Sequence, residues 1–375
     1  MDTEQPLALL GGLSAAQFMR RHWHKKPLLV RQAIADFRPP IGRAALLQLA
    51  GSEDVESRLI QHRDGRWLLR HGPVPRRAIP ALSAREWTVL VQGVDLHDDA
   101  THALMQQFAF VPQARLDDLM ISYASDGGGV GPHFDSYDVF LLQAQGRRRW
   151  RIGRQRDATL VDGLPLKILA NFEPEEEYVL EPGDLLYLPP RWAHDGVAEG
   201  ECMTYSIGFR SPDRAGLAHE VLLRLADAAG DEDGAPIYRD PKQPAVPNPG
   251  AIPAQLQDFA RQAVQRALAQ GGALECALGE ALTEPKPSVW FEPAPVGTLM
   301  EQVVLDRRTR MLYDEQHVFI NGESFRASGR DAALMRQLAD TRTLGPRELA
   351  RASDDALELL ATWCDAGWAH ARAGD

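Results

Sequence analysis

The sequence predicts a mainly β fold at the centre of the chain, either a closed antiparallel barrel or a double-sheet jelly roll. Between residues 119 and 209, short runs of β-forming residues alternate with turn residues, notably at 127–129 and 182–184. That texture is typical of antiparallel sheets rather than of parallel α/β sheets. The expected strands are 119–124, 139–142, 147–152, 177–180, 185–188 and 203–209.

The N-terminal part predicts an α/β elaboration in front of this domain. Ser14 is expected to cap a helix over 15–24, which ends before Pro27, and residues 28–30 suit a short strand. A hairpin is expected over 57–69, because Asp64-Gly65 favours a two-residue turn.

Beyond residue 210 the pattern becomes helical. Helices are expected over 214–229 and over 252–282, the second as one helix or a pair. A proline-rich stretch from 236 to 253 separates them, and such a density of proline forms neither helix nor central strand.

The last part of the chain predicts a winged-helix-like module. It combines a hairpin over 318–325, turning at Asn321-Gly322, with three short helical runs. The predicted domains are therefore 1–210, 211–284 and 285–375.

Composition limits the possible functions. The chain has 375 residues and a formal charge of −11, which argues against a general nucleic-acid binder and favours a basic partner. Its three cysteines form no paired motif, which indicates a reducing compartment. No apolar run has the length of a membrane span and the N-terminus lacks a signal-peptide layout, so we expect a cytoplasmic location without membrane contact.

Three polar residues have the types and spacing of a metal site. His133 and Asp135 are two residues apart, so on a β-strand they project to the same side, and His194 follows much later. Two histidines and one carboxylate match the facial triad that holds Fe(II) and leaves positions open for cosubstrate and oxygen. The distant third ligand suits the barrel or jelly roll.

Several segments, in the correct order, resemble the bacterial ribosomal oxygenases. The segments are WHKKPLLV at 23–30, GGVGPHFDSYDVF at 128–140, QGRRRW at 145–150, EPGDLLYLPPRWAH at 181–194 and YSIGFR at 205–210. These enzymes are JmjC-type cupins, with a double-stranded β-helix, that hydroxylate an arginine of large-subunit ribosomal protein sixteen. The resemblance covers most of residues 1–210, and beyond them only the layout matches, as a helical dimerisation segment and a winged helix.

The resemblance implies roles for individual residues. It gives the iron to His133, Asp135 and His194, and the far carboxylate of 2-oxoglutarate to Arg148. The pattern independently supports Arg148, because Trp150 and Ile152 mark the buried face of a strand and period two adds Arg148 to it. Hydroxyls that could assist belong to Ser206 or Tyr205 and to Ser122 or Tyr123.

Acidic residues near the triad suggest how a positive side chain is captured. A run at Glu173, Glu175, Glu176 and Glu177 and the pair Asp117-Asp118 are candidates, as is Asp138. Our hypothesis is that Asp118 or Asp138 seats the target arginine.

The resemblance implies a homodimeric hydroxylase that uses Fe(II), 2-oxoglutarate and O₂ to add a hydroxyl to C3 of an arginine in a large-subunit ribosomal protein. One alternative is the same chemistry on another target, as a histidine hydroxylase or a lysine demethylase. The other is a transcription factor whose cupin senses a ligand while its winged helix reads DNA. Residues 300–375 carry ten Lys/Arg against thirteen Asp/Glu, a net charge of −3, so direct DNA binding is not expected.

Overall fold

The computed structural model describes residues 2–230, 234–269, 271–293, 301–326 and 328–372. The chain forms two compact units, Met1–Ser211 and Pro212–Asp375. Among the described helices, none combines the length and the apolar character that crossing a membrane requires.

The first unit is organised around one antiparallel sheet, and its α-helices all belong to the N-terminal half of the unit. Its strands are β1 Leu28–Val30, β2 Ser57–Arg63, β3 Arg66–His71, β4 Trp87–Val91, β5 Leu116–Ala124, β6 Val139–Arg154, β7 Glu176–Leu180, β8 Leu185–Leu188 and β9 Trp192–Phe209. Its α-helices are α1 Ala15–Arg21, α2 Arg43–Leu49 and α3 Asp99–Gln106. In the described residues the strand order is β1-β8-β6-β9-β5-β4-β2-β3, and β7 pairs with β6.

Two long strands, β6 and β9, form the centre of that sheet. The expected runs 139–142 and 147–152 are one continuous strand, and 203–209 is only the end of β9. The strands pair along nearly their whole length, with irregularities around Gln145. Gly146 has φ +62°, and a Cβ there would lie 2.1 Å from the Glu201 carbonyl oxygen, so only glycine fits this close approach. The sequence hid this continuity because Asp, Gly and Glu residues between 192 and 202 are poor strand formers.

The two faces of the sheet bury different clusters. The larger core contains Phe18 of α1 against Tyr187 of β8, with ring centroids 4.9 Å apart. The smaller cluster contains Trp150, Ile152 and Leu141 of β6, and Leu141 alternates along the strand with Phe140 and Leu142 of the larger core. The predicted cap of α1 is confirmed: Ser14 accepts from the Gln17 amide in a capping box.

The second unit begins with helices and continues with a part that mixes helices and short strands. Its helices are α4 Arg214–Gly230, α5 Ala254–Ala269, α6 Ala273–Thr283, α7 Gly329–Thr341, α8 Pro346–Leu349 and α9 Asp354–Asp365. Its strands are β10 Gln302–Leu305, β11 Met311–Tyr313, β12 His317–Ile320, β13 Glu323–Arg326, β14 Thr343–Leu344 and β15 Ala369–Arg372. They form the sheets β14-β10-β15 and β11-β12-β13 within the described residues.

The expected helix over 252–282 is a pair, α5 and α6, and Gly272 before α6 has φ +85°. Helix α6 packs on the β12–β13 hairpin: a Cβ on Gly279 would lie 2.4 Å from the Phe319 ring. Helix α6 and that hairpin belong to the same compact unit. The predicted domain boundary between 284 and 285 stays a prediction.

Candidate metal and cosubstrate site

The structure brings His133, Asp135 and His194 together. One ligand atom from each lies within 4.8 Å of the others. Our expectation that His133 lies in a strand is wrong, because it forms only an isolated bridge with His194 of β9. The His133 amide donates to the His194 carbonyl at 3.0 Å, and the His194 amide donates back at 2.7 Å. This short extended segment is nevertheless enough to direct residues 133 and 135 to one side.

Each histidine ring is oriented by a backbone carbonyl. The Nδ1 of His133 lies 2.9 Å from the Gly131 carbonyl, and the Nδ1 of His194 lies 3.0 Å from the Trp192 carbonyl. Because a carbonyl only accepts, Nδ1 must carry the proton in both rings, and Nε2 is left with its lone pair. The His194 Nε2 is 3.7 Å from Asp135 Oδ2. Two imidazoles that keep Nε2 for a metal, beside a carboxylate, are a ligand set that fits a divalent transition metal.

Burial keeps His194 in the form that binds metal. Desolvation, with a further contribution from His133, lowers the pKa of His194 to about 4. The ring is therefore neutral near pH 7, as a metal ligand must be.

Arg148 is buried on the same side of β6 as Trp150, as the alternation of the strand predicts. Only 5% of the residue is exposed, and its Nη1 donates to Ser122 Oγ at 3.1 Å. Its Nε and Nη2 have no hydrogen-bond partner among the described residues. A buried guanidinium with two unsatisfied nitrogens is costly, and a carboxylate that accepts from both nitrogens would satisfy it.

Trp150 connects Arg148 with the triad. Its ring centroid lies 5.7 Å from the Arg148 guanidinium carbon and 5.8 Å from the His194 ring. The Cβ of any larger residue at Gly196 would lie 2.6 Å from the Trp150 ring, so this glycine lets the indole lie against β9. The sequence analysis missed Gly196, although a glycine two residues after the ligand in a strand is a signal of close approach.

Arg147, Arg149 and Arg151 of this strand lie on the opposite face. Arg147 and Arg149 contact Glu199, Arg149 also contacts Glu177, and Arg151 pairs with Asp195 at 2.5 Å. These ion pairs explain why the arginine-rich run is not an open cationic patch.

The four residues expected to contribute hydroxyl groups to the site fall into two groups. Ser122 contacts Arg148, and Ser206 is buried opposite Met120 in the β5–β9 register. The hydroxyl of Tyr123 donates to Glu201, and that of Tyr205 donates to the Ile41 carbonyl. The two tyrosines are therefore engaged away from Arg148.

Asp118 and the triad residue Asp135 both influence the side chain of Tyr137. Burial raises the pKa of the Tyr137 phenol above its usual range, and the neighbouring carboxylates of Asp135 and Asp118 add to this effect. Asp118 accepts from the Gly93 amide at 3.1 Å, and the pairing of β5 is irregular between Leu116 and Leu119. The sequence analysis missed Tyr137, which carries no pattern that distinguishes it from other tyrosines.

Asp138 occupies a different environment. Its side chain is fully buried; it accepts from the Tyr187 hydroxyl at 2.5 Å, and Oδ2 lies 2.9 Å from His24 Nε2 and 3.7 Å from Arg115. Burial raises the pKa of Asp138, and these partners oppose that shift. The acidic run is also partly engaged, since Glu177 pairs with Arg149 and Glu176 accepts from Tyr178.

Comparison with known proteins agrees with this arrangement of fold and site. A family model described as JmjC domain matches residues 103–217, and a model described as ROXA-like winged helix matches residues 266–370. The chain is thus a JmjC-domain protein with a winged helix of that type.

The similarity to particular proteins extends over the whole chain. The Escherichia coli protein named ribosomal protein uL16 3-hydroxylase is 34% identical over 95% of this chain and 97% of its own. An X-ray structure of E. coli YcfD has 31% identity and a TM-score of 0.82, covering 96% of this chain and 98% of that one. A structure of YcfD in complex with cobalt and 2-oxoglutarate has 32% identity, the same coverage and a TM-score of 0.78. This chain belongs to the ribosomal oxygenase family.

Proposed function

We propose that this protein is an Fe(II)- and 2-oxoglutarate-dependent hydroxylase that adds a hydroxyl to C3 of an arginine in a large-subunit ribosomal protein. The observation that carries the proposal is that the triad and the buried Arg148 occur on the same face of the sheet. Three metal-ligand groups lie within 4.8 Å of one another, and a buried guanidinium on the same sheet face has two unsatisfied nitrogens. That is the donor set that a metal and a dicarboxylate cosubstrate require.

The residues of the chain bind and orient rather than exchange protons. When bound, iron with 2-oxoglutarate and O₂ supplies the oxidising power that inserts an oxygen atom into a C–H bond. His133, Asp135 and His194 would hold the metal, with Gly131 and Trp192 carbonyls fixing the two rings. Arg148 would anchor the distal carboxylate, and Ser122 would hold the guanidinium in place. The buried Trp150 and His194 keep bulk water from this side of the site.

For the target arginine, we keep Asp118 and not Asp138 in the proposal. The Asp138 carboxylate is engaged by Tyr187, His24 and Arg115, whereas the carboxylates of Asp118 and Asp135 both act on the phenol of Tyr137. A carboxylate there would take a guanidinium through charge-assisted hydrogen bonds. Ser206 stays a candidate for a further polar contact with cosubstrate.

The E. coli relative is named for the 3-hydroxylation of uL16, and this supports a ribosomal substrate here. The test is incubation of the purified protein with ribosomal proteins, Fe(II) and 2-oxoglutarate, followed by intact and fragment mass spectrometry. We expect a gain of one oxygen on an arginine, dependent on all three additions, and none with His133→Ala. A gain on histidine or the loss of a methyl group from lysine would establish one of the alternatives instead.

The transcription-factor alternative has little support in the second unit. Helix α9 carries four acidic residues and neither lysine nor arginine, and a helix that reads DNA needs the opposite charge.

A hydroxylase acting on newly made ribosomal proteins would work in the cytoplasm.

We also propose that the protein is a homodimer formed through α4 and α5. A groove of about 790 Å³ is lined by apolar residues of both helices, and Leu222, Val264 and Leu268 are 56%, 61% and 46% exposed. Exposed apolar surface of this kind is typical of subunit interfaces. Light scattering should give a dimer that Val264→Asp converts to monomer, while the matched change Val246→Asp in the proline-rich stretch has no effect. A wild-type monomer at micromolar concentration would refute the proposal.

A further inference from the structure

The β2–β3 hairpin and the segment after it are positively charged in a negatively charged chain. Residues 57–86 contain seven arginines and no lysine against Asp64 and Glu86, a net charge of +5, whereas the whole chain carries −11. Such a local reversal of sign marks a surface that attracts a polyanion.

Most of these arginines have no internal counter-charge. Arg85 pairs with Asp126 at 2.8 Å, Arg58 donates to Gln92, and Glu86 lies 3.7 Å from His62. Five others are exposed and have no side-chain hydrogen bond or ion pair among the described residues. These five, which we call the basic hairpin surface, are Arg63, Arg66, Arg70, Arg76 and Arg77.

The register of the hairpin makes this surface unfavourable without a ligand. Arg63 and Arg66 lie directly opposite each other, and like charges in that position repel. Charges on an edge strand such as β3 also discourage edge-to-edge association. Arg76 and Arg77, however, follow the strand, so protection of its edge does not account for them.

We propose that the basic hairpin surface binds the phosphate backbone of RNA. Arginine presents a planar fork of donors that matches phosphate, and the exclusive use of arginine favours this partner over a generally acidic one. A basic ribosomal protein would be repelled by the same surface, so its partner is not the protein substrate. RNA binding itself can be measured without hydroxylation, whereas the joint engagement of RNA and a ribosomal protein rests on the function proposed above.

The surface lies beside the candidate metal site. Trp67, next to Arg66, approaches within 3.2 Å of the position of a Cβ on Gly131, whose carbonyl holds the ring of His133. RNA bound along the hairpin would therefore pass close to the site where a protein segment is modified. The enzyme would thus engage a ribosomal protein together with nearby RNA.

The test measures the binding of full-length protein to a labelled oligouridylate of about 20 nucleotides by fluorescence anisotropy over a range of salt concentrations. The test variant is Arg63→Ala/Arg66→Ala/Arg70→Ala. We expect binding that weakens about tenfold in this variant, with the slope of log affinity against log salt reduced by about 2, since each phosphate contact contributes about 0.7. Hydroxylation of an isolated ribosomal-protein peptide should be unchanged.

The matched control removes equal charge from the winged-helix part, as Arg330→Ala/Arg347→Ala/Arg351→Ala, three exposed arginines. It should bind RNA like the wild type. A wild-type protein that does not bind RNA at low salt would overturn the proposal, as would equal losses in the two triple variants. Tighter binding of polyglutamate or of duplex DNA would assign the surface to another partner.

The melting temperature of the hairpin variant should equal or exceed that of the wild type, because the Arg63–Arg66 repulsion is removed. A lower value with unchanged RNA affinity would show a structural role instead.

Discussion

Two groups of buried polar residues in the first unit differ in whether an oppositely charged side chain of the same unit lies beside the buried charge. Around Arg148 and the triad, two guanidinium nitrogens have no partner among the described residues, and one ligand atom from each triad residue lies within 4.8 Å of the others. Around Asp138, the Tyr187 hydroxyl donates to Oδ1, and Oδ2, which has no hydrogen bond among the described residues, lies 2.9 Å from His24 Nε2 and 3.7 Å from Arg115. Trp150 of the first group lies in the smaller cluster and Tyr187 in the larger core.

This comparison shows how a ligand-binding site can be distinguished from a structural polar cluster. Buried polar groups in native proteins are normally satisfied, so unsatisfied donors indicate atoms that a ligand supplies. The Asp138 carboxylate has Tyr187, His24 and Arg115 as partners within the chain. Changes in the triad group should therefore affect chemistry, and changes in the Asp138 group should affect stability.

The largest effect is expected from the metal ligands. His133→Ala or Asp135→Ala should lower hydroxylation and 2-oxoglutarate decarboxylation by about 10³-fold or more, because several kcal/mol of metal-dependent stabilisation is lost. Turnover is measured with circular dichroism as the check of folding. The control His219→Ala, at an exposed histidine of α4, should keep full activity. Normal turnover in either ligand variant would mean that the metal binds elsewhere.

The opposite behaviour is expected at Asp138. Asp138→Ala should lower the free energy of unfolding by about 3 kcal/mol, since it leaves the Tyr187 hydroxyl and Arg115 without their buried partner. Urea denaturation measures this, and Asp138→Asn should be milder because it keeps an acceptor for Tyr187. Metal affinity should not change. Unchanged stability with weakened substrate binding would place Asp138 in the binding site, against the distinction drawn above.

The pH dependence of stability tests the burial of the triad. The lowered pKa of His194 means that the unfolded chain binds a proton below about pH 6.5 that the folded chain binds only near pH 4. The metal-free protein should therefore lose about 3 kcal/mol of stability from this group as the pH falls through that window. Denaturant titrations at several pH values should show a shallower slope for His194→Asn. An identical slope would mean that His194 is not buried in the free protein.

Arg148→Lys should act on cosubstrate alone. Lysine keeps the charge but loses the fork of donors, so KM for 2-oxoglutarate should rise about 10–100-fold while kcat at saturation changes little. Steady-state kinetics measures both constants. Arg149→Lys is the matched control, since Arg149 lies on the other face with Glu177 and Glu199. Equal effects in the two variants would argue against a cosubstrate role for Arg148.

The smallest effect is expected at Asp118. Asp118→Asn should raise KM for the ribosomal peptide about tenfold, because one charge-assisted contact becomes neutral. Decarboxylation without peptide should persist, which separates substrate binding from metal binding. The control Asp117→Asn removes a carboxylate that contacts Arg210 and should leave KM unchanged.

Local patterns allowed much of this arrangement to be predicted. The Asp64-Gly65 and Asn321-Gly322 turns and the buried side of Arg148 follow from residues that are adjacent in sequence. The full length of β9 could not be predicted, because its first half contains poor strand formers that are held by pairing with β6. Non-local hydrogen bonds there override intrinsic propensity.

By itself, the sequence determined the set of metal-ligand residues, the inward arginine and the order of the elements, because spacing and period two are local properties. Only the tertiary structure decided that Asp138 contacts Tyr187, His24 and Arg115 and that Asp118 acts on Tyr137 together with Asp135. It also decided that Arg147, Arg149 and Arg151 form ion pairs, whereas Arg63, Arg66 and Arg70 form none with the residues that the structure describes. The reason is physical: a side chain's partner is set by contacts between segments distant in sequence, which no local pattern records.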